Sequence, residues 1–208
     1  MADVPEQKKT AQPFLSDIRT IRERARRHIE EGAVTEGYTL DRDTVLKLLN
    51  DSLATELVCV LRYRRHHFMA RGMHSPHIKE EFLVHANEEQ AHADLLAERI
   101  VQLGGEPDFA PEGLTSRSHS EYVAGETLQD MVREDLVAER IAIDTYREIV
   151  RFLGNADPTT RAMMEGILAK EEEHADELAD FLSNFAQDAR DDHATPAPAG
   201  APVSMRKH

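Results

Sequence analysis

The chain has 208 residues, of which 31% are charged and 40% hydrophobic, with a formal charge of −14, no tryptophan and one cysteine, Cys59. That balance excludes a disordered chain and a disulfide scaffold, and it opposes nucleic-acid binding over the whole surface. No stretch approaches the roughly 20 apolar residues of a membrane span, and the N-terminus lacks the apolar segment of a secretory leader, so a cytoplasmic protein is expected.

In chain order, residues 1–12 are polar and without periodicity. A short helix is predicted over 14–31, rich in arginine (Arg19, Arg22, Arg24, Arg26, Arg27) and closed by Gly32 and Gly37. Residues 1–40 thus form an N-terminal extension. Four long helices follow within 41–186. The first spans 42–71 and ends at Arg71-Gly72. The second opens at Ser75-Pro76, with Ser as cap and Pro in the first turn, and runs to Leu103 before Gly104-Gly105. The stretch 106–125 holds Pro107, Pro111, Gly113 and Gly125 and is too long for a tight turn, so it is expected to cross the bundle from end to end. The third helix spans 126–153 and the fourth 159–186, joined by a turn at 154–158. The remainder, 187–208, carries Pro196, Pro198 and Pro202 and reads as a disordered tail. The expected fold is all-α: a four-helix bundle of two antiparallel hairpins with a long connection between them.

Each long helix carries an apolar seam at steps of three and four. The seams read Leu46, Leu49, Leu53, Glu56, Val60, Tyr63; Ile78, Phe82, His85, Glu89, His92, Leu96, Ile100; Leu128, Val132, Asp135, Glu139, Ala142, Tyr146, Ile149, Leu153; and Met164, Ile167, Glu171, His174, Leu178, Phe181, Phe185. Every seam is interrupted by a glutamate, and two add a histidine three residues later. A carboxylate in a bundle core is costly unless a cation pairs with it. Four of them need a common partner, and no lysine or arginine stands on the seams, so a pair of metal ions is expected.

Depth along the bundle agrees. The midpoint of 56 and 89 is 72.5 and that of 139 and 171 is 155, each on its hairpin turn. At about 1.5 Å per residue each glutamate lies about 25 Å from its turn, so both hairpins deliver carboxylates to one level. The Glu-x-x-His spacing puts both side chains on one helix face. Oxygen and imidazole donors without thiolate favour iron or manganese over structural zinc.

These residues carry a family resemblance. Residues 41–186 resemble the ferritin-like superfamily, above all bacterioferritins and bacterioferritin-related Dps-like proteins, through LLNDSLATELVCVLRY, ANEEQAHADLLAERIVQLGGEP, REDLVAERIAIDTYREIV and ILAKEEEHADEL. The resemblance implies a ferritin-like bundle with two iron ions per subunit, manganese being the alternative. Glu56 and His92 would hold one ion, Glu139 and His174 the other, and Glu89 and Glu171 would bridge them. Tyr63, seven residues after Glu56, would lie beside the pair and act with these six in catalysis. The implied activity is that of a ferroxidase, with Fe(II) and O2 or H2O2 as reactants and ferric mineral stored in a homo-oligomeric shell. The residue after Glu89 is Gln90 where bacterioferritins carry a haem-ligating Met, so no haem is expected. The family's aspartates before the bridging glutamates, which orient the facing histidines, are replaced by Glu88 and Lys170. No short fifth helix of the kind found in 24-subunit shells is evident after Phe185, which favours a shell of twelve subunits or a smaller oligomer; twelve is the expected number, with twenty-four or a dimer as alternatives. Neither DNA nor a membrane is an expected partner. The alternatives are another di-metal enzyme on this frame, such as a manganese catalase or an oxidase, or a DNA-protecting binding protein.

The remaining candidates receive ordinary roles. His85, one turn before Glu89, is read as structural and not as a further ligand. Tyr146 is read as core filling, Cys59 as a small buried residue, and His66-His67 as a candidate inlet for metal. The acids Glu80, Glu81, Glu88, Glu172, Asp176 and Asp180 are read as solvated or as lining a mineral cavity.

Overall fold

A computed structural model describes residues 17–72 and 75–194; the expectations for 1–16 and 195–208 lie outside the described residues. The described residues form six α-helices and one 3-10 turn: α1 (Ile18–Arg24), the 3-10 turn Ile29–Glu31, α2 (Arg42–Met69), α3 (Ser75–Gln102), α4 (Leu114–Arg117), α5 (Leu128–Leu153) and α6 (Pro158–Ala194). Among them no helix is long and apolar enough to cross a membrane.

The long helices start where side chains can satisfy free backbone N–H groups. Asp41 accepts from the Thr44 backbone N–H at 3.1 Å. Thr127 and Asp130 close a reciprocal capping box, which sets the start of α5 at Leu128 instead of 126. Asp157 caps α6 ahead of Pro158, whose missing N–H costs nothing in a first turn.

Three boundaries depart from expectation. The helix predicted over 14–31 is broken: α1 ends at Arg24, His28 takes a left-handed conformation at φ 50°, and a 3-10 turn follows. No residue of α1 is buried, so no packed face sustains a longer helix. Instead Val34, Tyr38 and Leu40 fasten the extension to the bundle core. The first long helix stops at Met69, where Ala70 turns extended and into the core. The fourth continues past 186 to Ala194, because 187–194 contains neither glycine nor proline; the tail predicted from 187 is helical over that stretch.

α2 packs along α3 and α5 along α6, giving two antiparallel hairpins. Every seam residue is buried or half-buried. The core falls into two apolar clusters: one holds Leu49, Leu53, Leu96, Ile100, Ile149, Leu153 and Met164, the other Cys59, Ile78, Phe82, Val132 and Leu178. The glutamate level lies between them. Full burial of each large aliphatic side chain contributes roughly 1.5–3 kcal/mol, so the two clusters hold the polar layer in place.

The connection between hairpins runs beside α2, tied down in order. Asn50 Oδ1 accepts from the Asp108 N–H at 2.8 Å, Thr55 Oγ1 from the His119 N–H at 2.9 Å, and Arg62 Nη1 donates to the Glu121 carbonyl at 3.0 Å. His66 Nε2 reaches the Ala124 carbonyl at 2.9 Å. The expected end-to-end crossing is thus observed. Arg62 is itself a core residue, 1% exposed, and its Nε donates to Asp135 at 2.7 Å while His66 Nδ1 meets the other Asp135 oxygen at 2.7 Å. A core arginine is therefore present, off the seam, and it neutralises Asp135 and none of the four glutamates.

At the far end Asp157 accepts from Tyr38 Oη at 3.0 Å, Arg99 Nη2 at 3.1 Å and the Thr160 N–H at 2.9 Å. Burial raises the Asp157 carboxyl, but the Thr160 and Tyr38 hydrogen bonds and the Arg99 charge outweigh it and hold it below the usual range. A depressed folded value gives stability that is present above the unfolded value of about 3.9 and lost as pH falls through the folded one. Asp157→Asn is therefore expected to lower the thermal midpoint at pH 6–7 and to lose less of it than the wild type between pH 5 and 3; parallel curves over that range would refute the assignment.

Candidate metal centre

Six seam side chains converge at the middle of the bundle: Glu56 from α2, Glu89 and His92 from α3, Glu139 from α5, and Glu171 and His174 from α6. Each is 8% exposed or less. They form two overlapping groups, Glu56, Glu89, His92, Glu171 and Glu89, Glu139, Glu171, His174, in each of which one ligand atom per residue lies within 4.8 Å of the others. Glu89 and Glu171 belong to both.

Protein groups alone do not satisfy this cluster. His92 Nδ1 lies 3.0 Å from Glu171, 3.3 Å from Glu56 and 3.4 Å from Glu89. One ring N–H cannot serve three carboxylates. His174 Nδ1, both oxygens of Glu89, Glu139 Oε2 and Glu171 Oε1 are buried without an aligned hydrogen bond. Such orphans are rare in a folded core, and a cation held among them would satisfy them together. The donor set, four carboxylates and two imidazoles, fits two first-row ions.

The electrostatics agree. Burial, then the charges of Glu171 and Glu89, hold the Glu56 carboxyl well above its ordinary value; burial, then Glu89 and Glu171, do the same for Glu139. Burial would lower both histidines, but the carboxylates around them push His92 up to about 12 and His174 up to about 10. Burial would raise Glu89 and Glu171, but hydrogen bonding with the two histidines helps hold both below the ordinary range, so the centre of the cluster carries the negative charge that attracts cations.

The groups around the cluster complete its symmetry. Tyr63 on α2 donates to Glu139 on α5, and Tyr146 on α5 donates to Glu56 on α2, both tyrosines fully buried. Each tyrosine follows its own helix's glutamate by seven residues. Tyr146, read as a core filler, therefore holds a site carboxylate as Tyr63 does. Glu88 Oε2 accepts from His174 Nε2 at 2.7 Å, leaving Nδ1 to face the cluster. Its longer side chain makes the bond expected of an aspartate. Lys170 instead pairs with Glu173 at 2.7 Å and Glu88 at 3.6 Å, and offers His92 no acceptor.

Other sequence candidates lie apart. Glu172 and Glu173 are exposed, as expected of that run. Cys59 is buried, and burial raises its thiol well above the usual range. His66 and His67 do not form an inlet: His66 is engaged at both nitrogens, and His67 Nδ1 bonds the Lys79 carbonyl at 2.7 Å.

Comparison with known proteins agrees with this geometry. The ferritin-like domain family matches residues 46–187. A bacterioferritin of Mycobacterium leprae is 29% identical over 144 residues, covering 69% of this chain and 86% of that protein. A nutrient stress-induced DNA-binding protein of a Nostoc species is 33% identical over 150 residues, covering 69% of this chain and 82% of that protein. Among solved structures, a dodecameric thioferritin, the bacterioferritin-related protein of Bacteroides fragilis, superposes with a TM-score of 0.71 at 30% identity, covering 73% of this chain and 92% of that one.

Proposed function

Since the chain belongs to the ferritin-like domain family, we propose that it is a ferroxidase, taking Fe(II) as substrate at the paired centre and passing it on as Fe(III) for storage or detoxification. The observation that carries this reading is the pair of four-residue groups that share Glu89 and Glu171. Glu56 and His92 serve one ion, Glu139 and His174 the other, and the shared glutamates span both. A pair of Fe(II) ions supplies two electrons, the number that reduces O2 to H2O2 or H2O2 to water.

The chain's own groups perform four tasks. The carboxylates replace hydration around the ions and offset their charge. The histidines present Nδ1, and Glu88 fixes the His174 ring by holding its other nitrogen. Tyr63 and Tyr146 hold one oxygen each of Glu139 and Glu56. The apolar clusters on either side keep the layer dry, which strengthens each electrostatic contact.

Mixing metal-free protein with Fe(II) in air tests the proposal. Absorbance of ferric-oxo species should rise faster than in buffer, saturating at about two irons per chain for the first fast phase. No acceleration over buffer would sink it. The tyrosines make a finer prediction. Tyr146→Phe should weaken the ion held by Glu56, and Tyr63→Phe the ion held by Glu139, each by about 10- to 100-fold, while the second ion stays near the wild-type affinity. Stepwise Mn(II) titration followed by electron paramagnetic resonance would show it, and equal weakening of both ions in either variant would contradict the crossed pairing.

The dodecameric relative of similar structure supports assembly into a shell of twelve. For DNA, the exposed arginines of α1 are set against a net charge of −14. No gel shift is expected at physiological salt.

A further inference from the structure

A second kind of cluster lies on the outer wall of the paired centre. Glu81 and His85, one turn apart on α3, and Glu177 on α6 offer ligand atoms within 4.8 Å of one another. His85 Nε2 lies 2.8 Å from Glu177 Oε2. The His85 side chain is fully buried, whereas those of Glu177 and Glu81 are 43% and 27% exposed. A dry imidazole nitrogen thus looks out at two acids that reach water.

The arrangement differs from that of a structural histidine. His66, which is structural, has both ring nitrogens bonded. His85 has Nε2 alone engaged, and that nitrogen faces the two acids. What positions the His85 ring is stacking: it lies on the His174 ring at 4.0 Å between centroids and meets Tyr63 edge-on at 5.2 Å. The ring is thereby aimed, and its Nε2 is delivered to the two carboxylates. Among the described residues, neither Glu81 nor Glu177 forms an ion pair with a lysine or arginine; Glu81 has the His77 ring 4.0 Å away, one turn outward. His85 Nε2 bonds one acid at a time, whereas a divalent cation engages all three side chains.

We propose that Glu81, His85 and Glu177 form a third cation site for a divalent first-row metal such as Fe(II), Mn(II) or Zn(II). Two carboxylates and one imidazole leave coordination positions open to water, which suits an ion held loosely and exchanged readily. The site shares no ligand with the paired centre and stands without the ferroxidase reading, while the stacked rings of His85 and His174 put the two in contact.

Zn(II), which undergoes no oxidation, is the probe. Metal-free full-length protein is titrated with Zn(II) at physiological ionic strength, and bound metal is counted after equilibration. The wild type should bind three ions per chain, and Glu81→Gln/Glu177→Gln two. Glu89→Gln/Glu171→Gln, which disables the shared ligands, should retain one ion that is lost on adding Glu81→Gln/Glu177→Gln. Both acids of the triad reach solvent, so the variants should fold; each single change should weaken the third ion by at least about tenfold. A wild type that stops at two ions, or a third ion that survives in Glu81→Gln/Glu177→Gln, overturns the proposal. Failure of the paired centre has a different signature: Glu89→Gln/Glu171→Gln would then bind as many ions as the wild type.

Discussion

Glu89→Gln is expected to remove about two thirds or more of the thermal stabilisation that Mn(II) or Zn(II) gives the wild-type protein. Free metal at about 1,000 times the dissociation constant stabilises a folded chain by about 4 kcal/mol. For a chain of this size that is a rise of about 8–16 °C in the unfolding midpoint. Glu89 belongs to both ligand groups, so its loss reaches both ions. Glutamine keeps the shape but supplies one weak oxygen donor in place of two charged ones, and affinity should fall by more than about 100-fold, beyond the cost of losing an outer partner. The metal-free variant should itself unfold somewhat earlier than the metal-free wild type, because Glu89 lies 3.3 Å from His174 Nδ1 and 3.4 Å from His92 Nδ1 and its loss removes a carboxylate from both buried imidazoles. Calorimetry with and without metal separates the two effects. A variant that keeps the full gain would show that Glu89 is not shared between ions. Its Fe(II) oxidation should fall in parallel to near the rate in buffer.

The parts of this molecule that follow a helical period were legible beforehand, because a core seam needs only local spacing. All four seams, and the level at which their glutamates meet, follow from residue numbers and a fixed rise. Tyr146 stands at the same seven-residue offset from Glu139 as Tyr63 from Glu56, and that internal symmetry is the available signal. The signal is weak because a buried tyrosine on a seam is usually packing. Contacts set by tertiary placement were hidden. Arg62 meets Asp135 from 73 residues away, and only the path of the crossover along α2 makes Glu121 and Ala124 available. Glu88 carried an ambiguous signal, since one added methylene changes where a carboxylate reaches, and the structure lands it on His174. The end of α6 is hard to read because tail-like composition begins before the first helix breaker at Pro196.

Arg62→Met should be the most destabilising single change outside the metal ligands. Arg62 and Asp135 are 1% and 0% exposed, and the arginine also holds the Glu121 carbonyl. Removing one partner of such a pair leaves a buried carboxylate facing only His66, at a cost of about 3–5 kcal/mol. Replacing both, as Arg62→Met with Asp135→Leu, removes the unpaired charge and should recover much of that loss, so the double-mutant cycle should show a coupling of more than about 1 kcal/mol. The effect should also travel. Asp135 lies one turn before Glu139 on α5, and Arg62 adjoins Tyr63, whose hydroxyl holds Glu139. Loosening that corner should weaken the ion on the Glu139 and His174 side more than the ion on the Glu56 and His92 side. Urea unfolding of the four proteins, each followed by Mn(II) titration, measures both consequences. Additive losses would mean that Arg62 acts through packing alone, and a symmetric loss of the two ions would mean that its pair with Asp135 does not brace the centre.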